Sequence, residues 1–249
     1  MLIVGNWKAY VESKVKAKAL YAGARRLSLK EKHEVFVAPS FPYIGMLAPV
    51  RASTKSAGLA AQDVSLTVGG AQTGEVPAGA LKDMGVSYVI VGHSERRAAG
   101  ESDSAVVEKA RHVLAHGMVP ILCVGEAVRD SDALYLTHVR TQISALMNVL
   151  TPKERLTVVI AYEPIWAIGK TGLEAIQPAD LREMVLYIRK VLADVMPGRA
   201  NQKVRILYGG SVDASNARML AEDTGIDGFL VGRASTDVAG FSALVNAVS

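Results

Sequence analysis

VVIAYEPIWAIG, residues 158–169, is the stretch of sequence that decides the fold we expect. It begins as a uniformly apolar run and becomes polar at Glu163, directly before a proline that restricts the backbone. Uniformly apolar runs are typical of parallel strands that are covered on both faces. In α/β folds, the polar side chains at the C-terminal tips of such strands form the functional site. The stretch therefore predicts a buried parallel strand that delivers Glu163 to a site.

Two further strand tips carry polar side chains in the same way. Leu2-Ile3-Val4 leads to Asn6-Trp7-Lys8, and Val89-Ile90-Val91 leads to His93. The three tips supply an ammonium, an imidazole and a carboxylate, which suit proton abstraction beside a carbonyl, with Glu163 as general base. A helix that starts next to the histidine would favour the neutral ring, which can donate a hydrogen bond. A surface glutamate, a core histidine and a surface lysine remain the alternative interpretations.

Eight short apolar runs, separated by helical patterns, recur along the whole chain. Asp103 is predicted to cap one helix and Pro178 to open another. Without a linker or a change in composition, this pattern predicts a single (β/α)8 barrel domain over residues 1–249. A doubly wound open sheet is the alternative, but residues 5–8 lack the G-x-G-x-x-G spacing that its first turn would need. The predicted strands are Leu2–Gly5, Glu34–Ala38, Leu59–Gln62, Tyr88–Val91, Val119–Val124, Thr157–Tyr162, Arg205–Tyr208 and Gly228–Val231.

Composition limits the class of protein. Of 249 residues, 50% are hydrophobic and 21% are charged, which indicates a globular core and not a disordered chain. The net charge of +4 comes from dispersed basic residues, so no nucleic-acid partner is predicted. Cys123 is the sole cysteine, which favours a reducing compartment. With no apolar run long enough to span a bilayer and no signal-peptide pattern, we predict a cytoplasmic protein that does not bind membranes.

Glycine-containing turns follow the last two predicted strands, at residues 208–212 and 230–234. Such glycines relieve crowded turns, but after strands seven and eight of a barrel the exposed backbone N–H groups commonly hold a phosphate. Cysteine and histidine do not cluster at the spacing of metal ligands. The sequence therefore predicts an anionic small-molecule ligand and no metal.

Taken together, these motifs resemble the triosephosphate isomerase family over essentially Leu2–Val248. The resemblance implies a (β/α)8 enzyme whose substrate is a triose phosphate, without a cofactor. It would interconvert dihydroxyacetone phosphate and D-glyceraldehyde 3-phosphate through an enediolate, in glycolysis and gluconeogenesis. The motifs that carry the resemblance are Gly5–Lys8, Thr73–Glu75, Tyr88–Arg97, Cys123–Glu126, Tyr162–Gly169, Tyr208–Val212 and Gly228–Gly232.

The resemblance also implies a role for each catalytic residue. Glu163 would move a proton between neighbouring carbons, while His93 polarises the carbonyl and shuttles protons between the oxygens. Lys8 and Asn6 would bind the substrate and stabilise the oxyanion. The backbone amides implied to hold the phosphate belong to Gly169, Ser211, Gly232 and Arg233.

Further residues would support these groups. Glu95 would lie beside the lysine, Ser94 would receive the base when the lid at residues 164–174 is open, and Cys123 would pack near the base. The loop around Thr73 would insert beside the first strand turn of a second subunit, so a homodimer is expected.

The chain departs from the family pattern at three places. Residues 169–173 read Gly-Lys-Thr-Gly-Leu where the family usually has Gly-Thr-Gly-Lys after the isoleucine, Arg233 replaces a second glycine, and Ala9-Tyr10 replaces Met-Asn. The first departure lies at the distal end of the lid, the second at an amide that would contact the phosphate, and the third at the subunit interface. Two alternatives stay open: a catalytically impaired sugar-phosphate-binding barrel, and a different phosphate-binding barrel isomerase.

Overall fold

The computed structural model is a closed barrel of eight parallel strands, and it describes residues 1–30, 33–48, 57–170 and 176–249. Each strand pairs with the next along the chain, and β8 pairs with β1 to close the barrel. The predicted (β/α)8 architecture is therefore confirmed. The strands are β1 Leu2–Asn6, β2 Glu34–Ala38, β3 Gly58–Ala61, β4 Val86–Val91, β5 Val119–Val124, β6 Val159–Tyr162, β7 Arg205–Tyr208 and β8 Gly228–Val231.

Four of the predicted strands, β2, β5, β7 and β8, have the predicted bounds. β1 extends one residue further, to Asn6, and β4 begins at Val86, which pairs with β3. β3 spans Gly58–Ala61, so Gln62 lies just beyond its end. β6 begins two residues later than predicted, because the backbone N–H and the hydroxyl of Thr157 both bond to the carbonyl of Glu154, at 3.0 and 2.7 Å. That residue thus belongs to the preceding turn.

Helices surround the barrel, and two of them test the predicted boundaries. Pro178 opens its helix as predicted. The predicted cap at Asp103 was wrong by one residue: the Ser102 hydroxyl accepts from the N–H of Ala105 at 3.2 Å, while Asp103 pairs with Arg97 at 2.6 Å. The helices are α1 Lys14–Lys30, α2 Phe41–Leu47, α3 Ala78–Asp83, α4 Ser94–Ala98, α5 Asp103–Ala115, α6 Leu134–Met147, α7 Pro152–Arg155, α8 Pro178–Val195, α9 Ala217–Ala221 and α10 Val238–Ala247. Within the described ranges, none of them is both long enough and apolar enough to cross a membrane.

The core has two layers, because successive side chains of a strand point to opposite faces. One layer consists of strand residues alone, such as Val4, Ile90 and Cys123, and it fills the inside of the barrel. The other joins the opposite faces of the strands to the apolar sides of the helices. Both faces of every strand are thus covered, which explains the uniformly apolar runs.

The N-terminal end of the barrel is closed by a group that we call the N-terminal plug: Glu34, Phe36, Gly58, Tyr88 and Arg205. The rings of Phe36 and Tyr88 pack edge to face, with centroids 4.6 Å apart. The Arg205 guanidinium contacts the Tyr88 hydroxyl and lies 2.9 Å from a carboxylate oxygen of Glu34. A Cβ on Gly58 would lie 1.9 Å from the Phe36 ring, so the plug requires glycine there.

Candidate active site

A cavity of about 430 Å³ opens at the C-terminal end of the barrel. It brings together residues at the ends of five different strands and in the turns that follow them, as much as 228 positions apart, from Asn6 to Ala234. The eight residues that the sequence predicted for catalysis and substrate binding all line it. They are Asn6, Lys8, His93, Glu163, Gly169, Ser211, Gly232 and Arg233.

The turn after β1 holds Lys8 in a fixed position. The Asn6 side chain accepts a hydrogen bond from the N–H of Lys8 at 3.0 Å, and the lysine has a φ of +46°, which is uncommon for a side chain with a Cβ. Its carbonyl accepts from the Ser40 hydroxyl at 3.0 Å and from the Gln62 amide at 2.9 Å. Its ammonium lies 2.7 Å from a carboxylate oxygen of Glu95. The backbone and the side chain of Lys8 are thus both held in place by hydrogen bonds, and the residue lines the cavity.

His93 caps α4 through its ring. Nδ1 accepts a hydrogen bond from the backbone N–H of Glu95 at 3.2 Å, so Nδ1 carries no proton. The proton of the neutral ring must then sit on Nε2, which faces a carboxylate oxygen of Glu163 at 3.3 Å. The ring is only 7% exposed, and it presents an N–H donor to the cavity.

Glu163 lies just beyond β6 and is only 2% exposed. One carboxylate oxygen accepts a hydrogen bond from the backbone N–H of Ser94 at 3.1 Å, while the other faces the histidine. Two glycines make room for it. A Cβ on Gly209 would lie 2.8 Å from the Glu163 Cγ, and a Cβ on Gly125 would lie 1.9 Å from its carbonyl oxygen. The glycine of the β7 turn thus accommodates the carboxylate.

Cys123 lies on the inside of the barrel, next to Glu163. Burial raises the pKa of the thiol well above its ordinary value, and the neighbouring carboxylate raises it further. A thiol with a raised pKa stays protonated and is a poor nucleophile. Its geometry fits a packing role.

A polar cluster lies behind the first part of the predicted lid. One Glu126 oxygen accepts from the Tyr162 hydroxyl at 2.8 Å and from the Trp166 indole at 2.9 Å. The Arg129 guanidinium contacts the same oxygen at 3.4 Å and lies 5.2 Å from the Trp166 ring centre. Burial and the Glu126 charge raise the pKa of Tyr162, which keeps it protonated as a donor. Residues 171–174, which carry the departure at the distal end of the lid, lie outside the described residues.

The phosphate-binding candidates line the same cavity. Gly169 has a φ of +79°, a conformation that favours glycine, whereas Arg233 has a negative φ and begins a 3-10 helix. The backbone at 233 therefore suits a residue other than glycine. The turn that carries Ser211 is ordered by Asn216, whose amide donates to the Ser211 carbonyl at 3.2 Å.

Three predicted supporting residues, Ser94, Glu95 and Cys123, do not line the cavity but contact residues that do. Thr73 lies in an exposed loop outside the cavity. Sequence reasoning missed Gln62, which was predicted inside the third strand but follows β3 just as Glu163 follows β6. Of the other cavity residues, it missed Tyr10 and Asp213. The remaining ones belong to the predicted lid (Ile168 and Lys170) or to the two predicted phosphate turns (Gly209, Gly210, Val212, Leu230 and Ala234).

Comparison with known proteins agrees with this geometry. A family model described as "Triosephosphate isomerase" matches residues 1–248. Among curated proteins, the triosephosphate isomerase of Thermus thermophilus is 42% identical over 248 residues, covering 98% of this chain and 97% of the relative. That of Chloroflexus aurantiacus is also 42% identical, covering 98% of each chain. That of Dictyostelium discoideum is 37% identical, covering 87% of this chain and 83% of the relative.

Proposed function

Since this chain belongs to the triosephosphate isomerase family, we propose that Glu163, His93, Lys8 and Asn6 carry out its reaction. That reaction interconverts dihydroxyacetone phosphate and D-glyceraldehyde 3-phosphate, a step of glycolysis and gluconeogenesis. In this proposal, residues 1–249 act as one catalytic barrel, and neither a metal nor a nucleotide takes part.

Glu163 is the base. Its carboxylate removes a proton from the carbon beside the carbonyl, which leaves an enediolate, and it returns the proton to the neighbouring carbon. The side chain now rests on the N–H of Ser94, at 3.1 Å. It must leave that amide to reach a substrate carbon, so this contact is the resting position of the base.

His93 is the electrophile. Its Nε2–H donates a hydrogen bond to the carbonyl oxygen and moves protons between the two oxygens of the enediolate. A glutamate base with a neutral histidine is the established description of this family. The hydrogen bond from the Glu95 N–H to Nδ1 supports the neutral ring, because an imidazolium could not accept it.

Lys8 and Asn6 bind the oxyanion that develops on the substrate, and backbone amides of the other cavity residues bind the phosphate. The ammonium is already oriented by Glu95 at 2.7 Å, so little reorganisation is needed when the substrate arrives. The observation that supports the whole proposal best is the 3.3 Å distance between His93 and Glu163 in a cavity that Lys8 also lines. A catalytically impaired barrel would have lost one of these side chains.

A coupled assay with dihydroxyacetone phosphate, without added metal or nucleotide, tests this proposal. Glu163→Gln should lower kcat by at least the roughly 10² to 10⁴-fold that a general base contributes. Glu222→Gln is the matched control, because that carboxylate is 67% exposed and pairs with Arg218 on the protein surface. Near-native turnover by Glu163→Gln would overturn the assignment of the base.

We also propose that the protein is a homodimer that buries the loop around Thr73. That loop presents two apolar side chains to solvent, Leu66 at 46% and Val68 at 74% exposure, and Tyr10 near the cavity is 48% exposed. Exposed apolar side chains in one region support an interface. A sizing run should give the mass of two chains, and Val68→Asp should shift the protein toward one chain, whereas Val149→Asp, outside this loop, should not. Elution of the native protein as a single chain would exclude the dimer.

A cytoplasmic location completes the proposal. The substrates are intermediates of central carbon metabolism, and Cys123 is a free, buried thiol, as is usual in a reducing compartment. Fractionation of cells should recover the isomerase activity together with the cytosolic enzymes. Recovery in another fraction would contradict this location.

A further inference from the structure

The backbone of the base is held by the last residue of β5 and the two residues after it, residues 124–126, which we call the support segment. The N–H of Glu163 donates to the carbonyl of Val124 at 2.8 Å, and the N–H of Ile165 donates to the carbonyl of Glu126 at 2.9 Å. These bonds continue the pairing of β5 with β6 beyond the ends of both strands. The support segment therefore fixes the peptide groups on both sides of the base.

Gly125, in the middle of the support segment, packs directly against the backbone of Glu163. A Cβ at this position would lie 1.9 Å from the carbonyl oxygen of Glu163 and 2.6 Å from its carbonyl carbon. The two backbones are thus in contact without an intervening side chain. Because packed interiors transmit small displacements, a shift of Gly125 moves Glu163 as well.

Gln142, on the buried face of α6, holds Gly125. Its side-chain oxygen accepts from the Gly125 N–H at 2.8 Å, and its amide nitrogen lies 3.4 Å from the Gly125 carbonyl. The same nitrogen lies 3.0 Å from Nε2 of His138, one turn earlier on the helix. Since the N–H of Gly125 can meet only an acceptor, the orientation of the amide is fixed.

This glutamine lies among apolar residues. It is 4% exposed, and Val139, Ile143 and Leu146 on the same helix are fully buried. A buried amide is unfavourable unless its hydrogen bonds are made, and here they are made to the support segment. Gln142 therefore holds Gly125, 17 residues earlier in the chain, on the side away from the cavity.

We propose that Gln142 is a positioning residue for the isomerisation: by clamping Gly125 it sets the position of the Glu163 carboxylate relative to the substrate carbon. The inference rests on the proposed role of Glu163 as the base. A misplacement of about 1 Å can reduce a rate by about 10²-fold. Gln142 does not reach the cavity, so substrate binding does not depend on it.

The test compares Gln142→Met with Ile143→Val. Methionine has nearly the shape of glutamine but no hydrogen bond for Gly125, whereas Ile143→Val removes one buried methylene group from the adjacent residue. We expect Gln142→Met to lower kcat by about 10 to 10²-fold while KM stays unchanged. The kinetic isotope effect for dihydroxyacetone phosphate deuterated at the carbon that loses its proton should rise. The family is an established example of turnover near the diffusion limit, so slower proton abstraction exposes this isotope effect.

A purely structural role predicts a different result. Gln142→Met would then lower the melting temperature, as Ile143→Val does, with kcat and the isotope effect equal to those of Ile143→Val; that result would overturn the proposal. If Gln142→Met does not fold, Gln142→Leu, which likewise offers no hydrogen bond to Gly125, is read against Ile143→Val in the same way. Turnover by the wild-type protein and by Ile143→Val tests the proposed function separately, because both keep Gln142 and Glu163.

Discussion

The two ends of the barrel use the same strands for opposite purposes. At the N-terminal end, the side chains of the plug contact one another: Arg205 meets both Glu34 and Tyr88, and Phe36 fills the space that remains. At the C-terminal end, His93 and Glu163 surround an open cavity of about 430 Å³. Polar groups that satisfy each other stabilise the fold, whereas polar groups held around an empty space remain available to a ligand.

The two ends of the barrel also differ in how their charged side chains are paired. Arg205 is paired within the plug, but Arg233, which lines the cavity, forms no ion pair with any residue in the described part of the chain. Lys8 also lines the cavity, with one carboxylate as partner. The open end is therefore able to attract a phosphate dianion, and the closed end is not. Substitutions at matched glycines test this division.

The largest effect is expected for Gly209→Ala at the open end. The new Cβ would lie 2.8 Å from the Glu163 Cγ and would displace the base, so kcat/KM should fall by about 10²-fold. Gly79→Ala is the control, because its Cβ would make only an ordinary 3.5 Å contact with His116. The coupled assay measures both variants. Equal activity of the two variants would mean that the turn after β7 does not fix the position of the Glu163 side chain.

Gly58→Ala makes the reciprocal test at the closed end. The new Cβ would lie 1.9 Å from the Phe36 ring, so the plug must shift, and the free energy of unfolding should fall by about 1–3 kcal/mol. Urea unfolding measures this loss, and kcat at a temperature well below the transition should stay unchanged. A fall in kcat comparable to that of Gly209→Ala would show that the two ends are coupled.

The smallest effect is expected between the two ends, at Cys123. Burial raises the pKa of the folded thiol above its ordinary value of about 9, so with rising pH the unfolded chain loses its proton first. The stabilisation is present below that pH and is lost as the pH rises toward the folded pKa. The free energy of unfolding should therefore fall by up to about 1.4 kcal/mol per pH unit above about pH 9. Urea unfolding at several pH values measures how the free energy of unfolding depends on pH, and for Cys123→Ala this slope should be shallower by the same amount. An identical slope for both proteins would contradict a raised pKa of the buried thiol.

Much of the fold could be predicted because burial on both faces leaves a direct mark on the sequence. The apolar runs located all eight strands, and the bounds shifted by at most two residues, at β6 because Thr157 bonds to the preceding turn. The rule that polar residues follow strands located Lys8, His93 and Glu163. It did not extend to Gln62, whose amide holds the carbonyls of Lys8 and Ala38, each at 2.9 Å.

Other features could not be predicted, because they depend on distances between segments. Gln142 is a polar position in a helix of apolar character, and its contact with Gly125 exists only once α6 packs behind β5. Gly209 was predicted as part of a phosphate turn, yet its missing side chain leaves room for the base. A sequence shows that a glycine is present, but not which atom approaches it.

The N-terminal plug also determines how substrate and product enter and leave the cavity. Because side chains fill the barrel axis from the plug to the level of Cys123, the described residues leave no tunnel through the barrel. The triose that enters and the triose that leaves must use the same mouth, so one occupant has to depart before the next is admitted. Each isomer is consequently a competitive inhibitor of the reaction of the other, and net flux follows their relative concentrations in the surroundings.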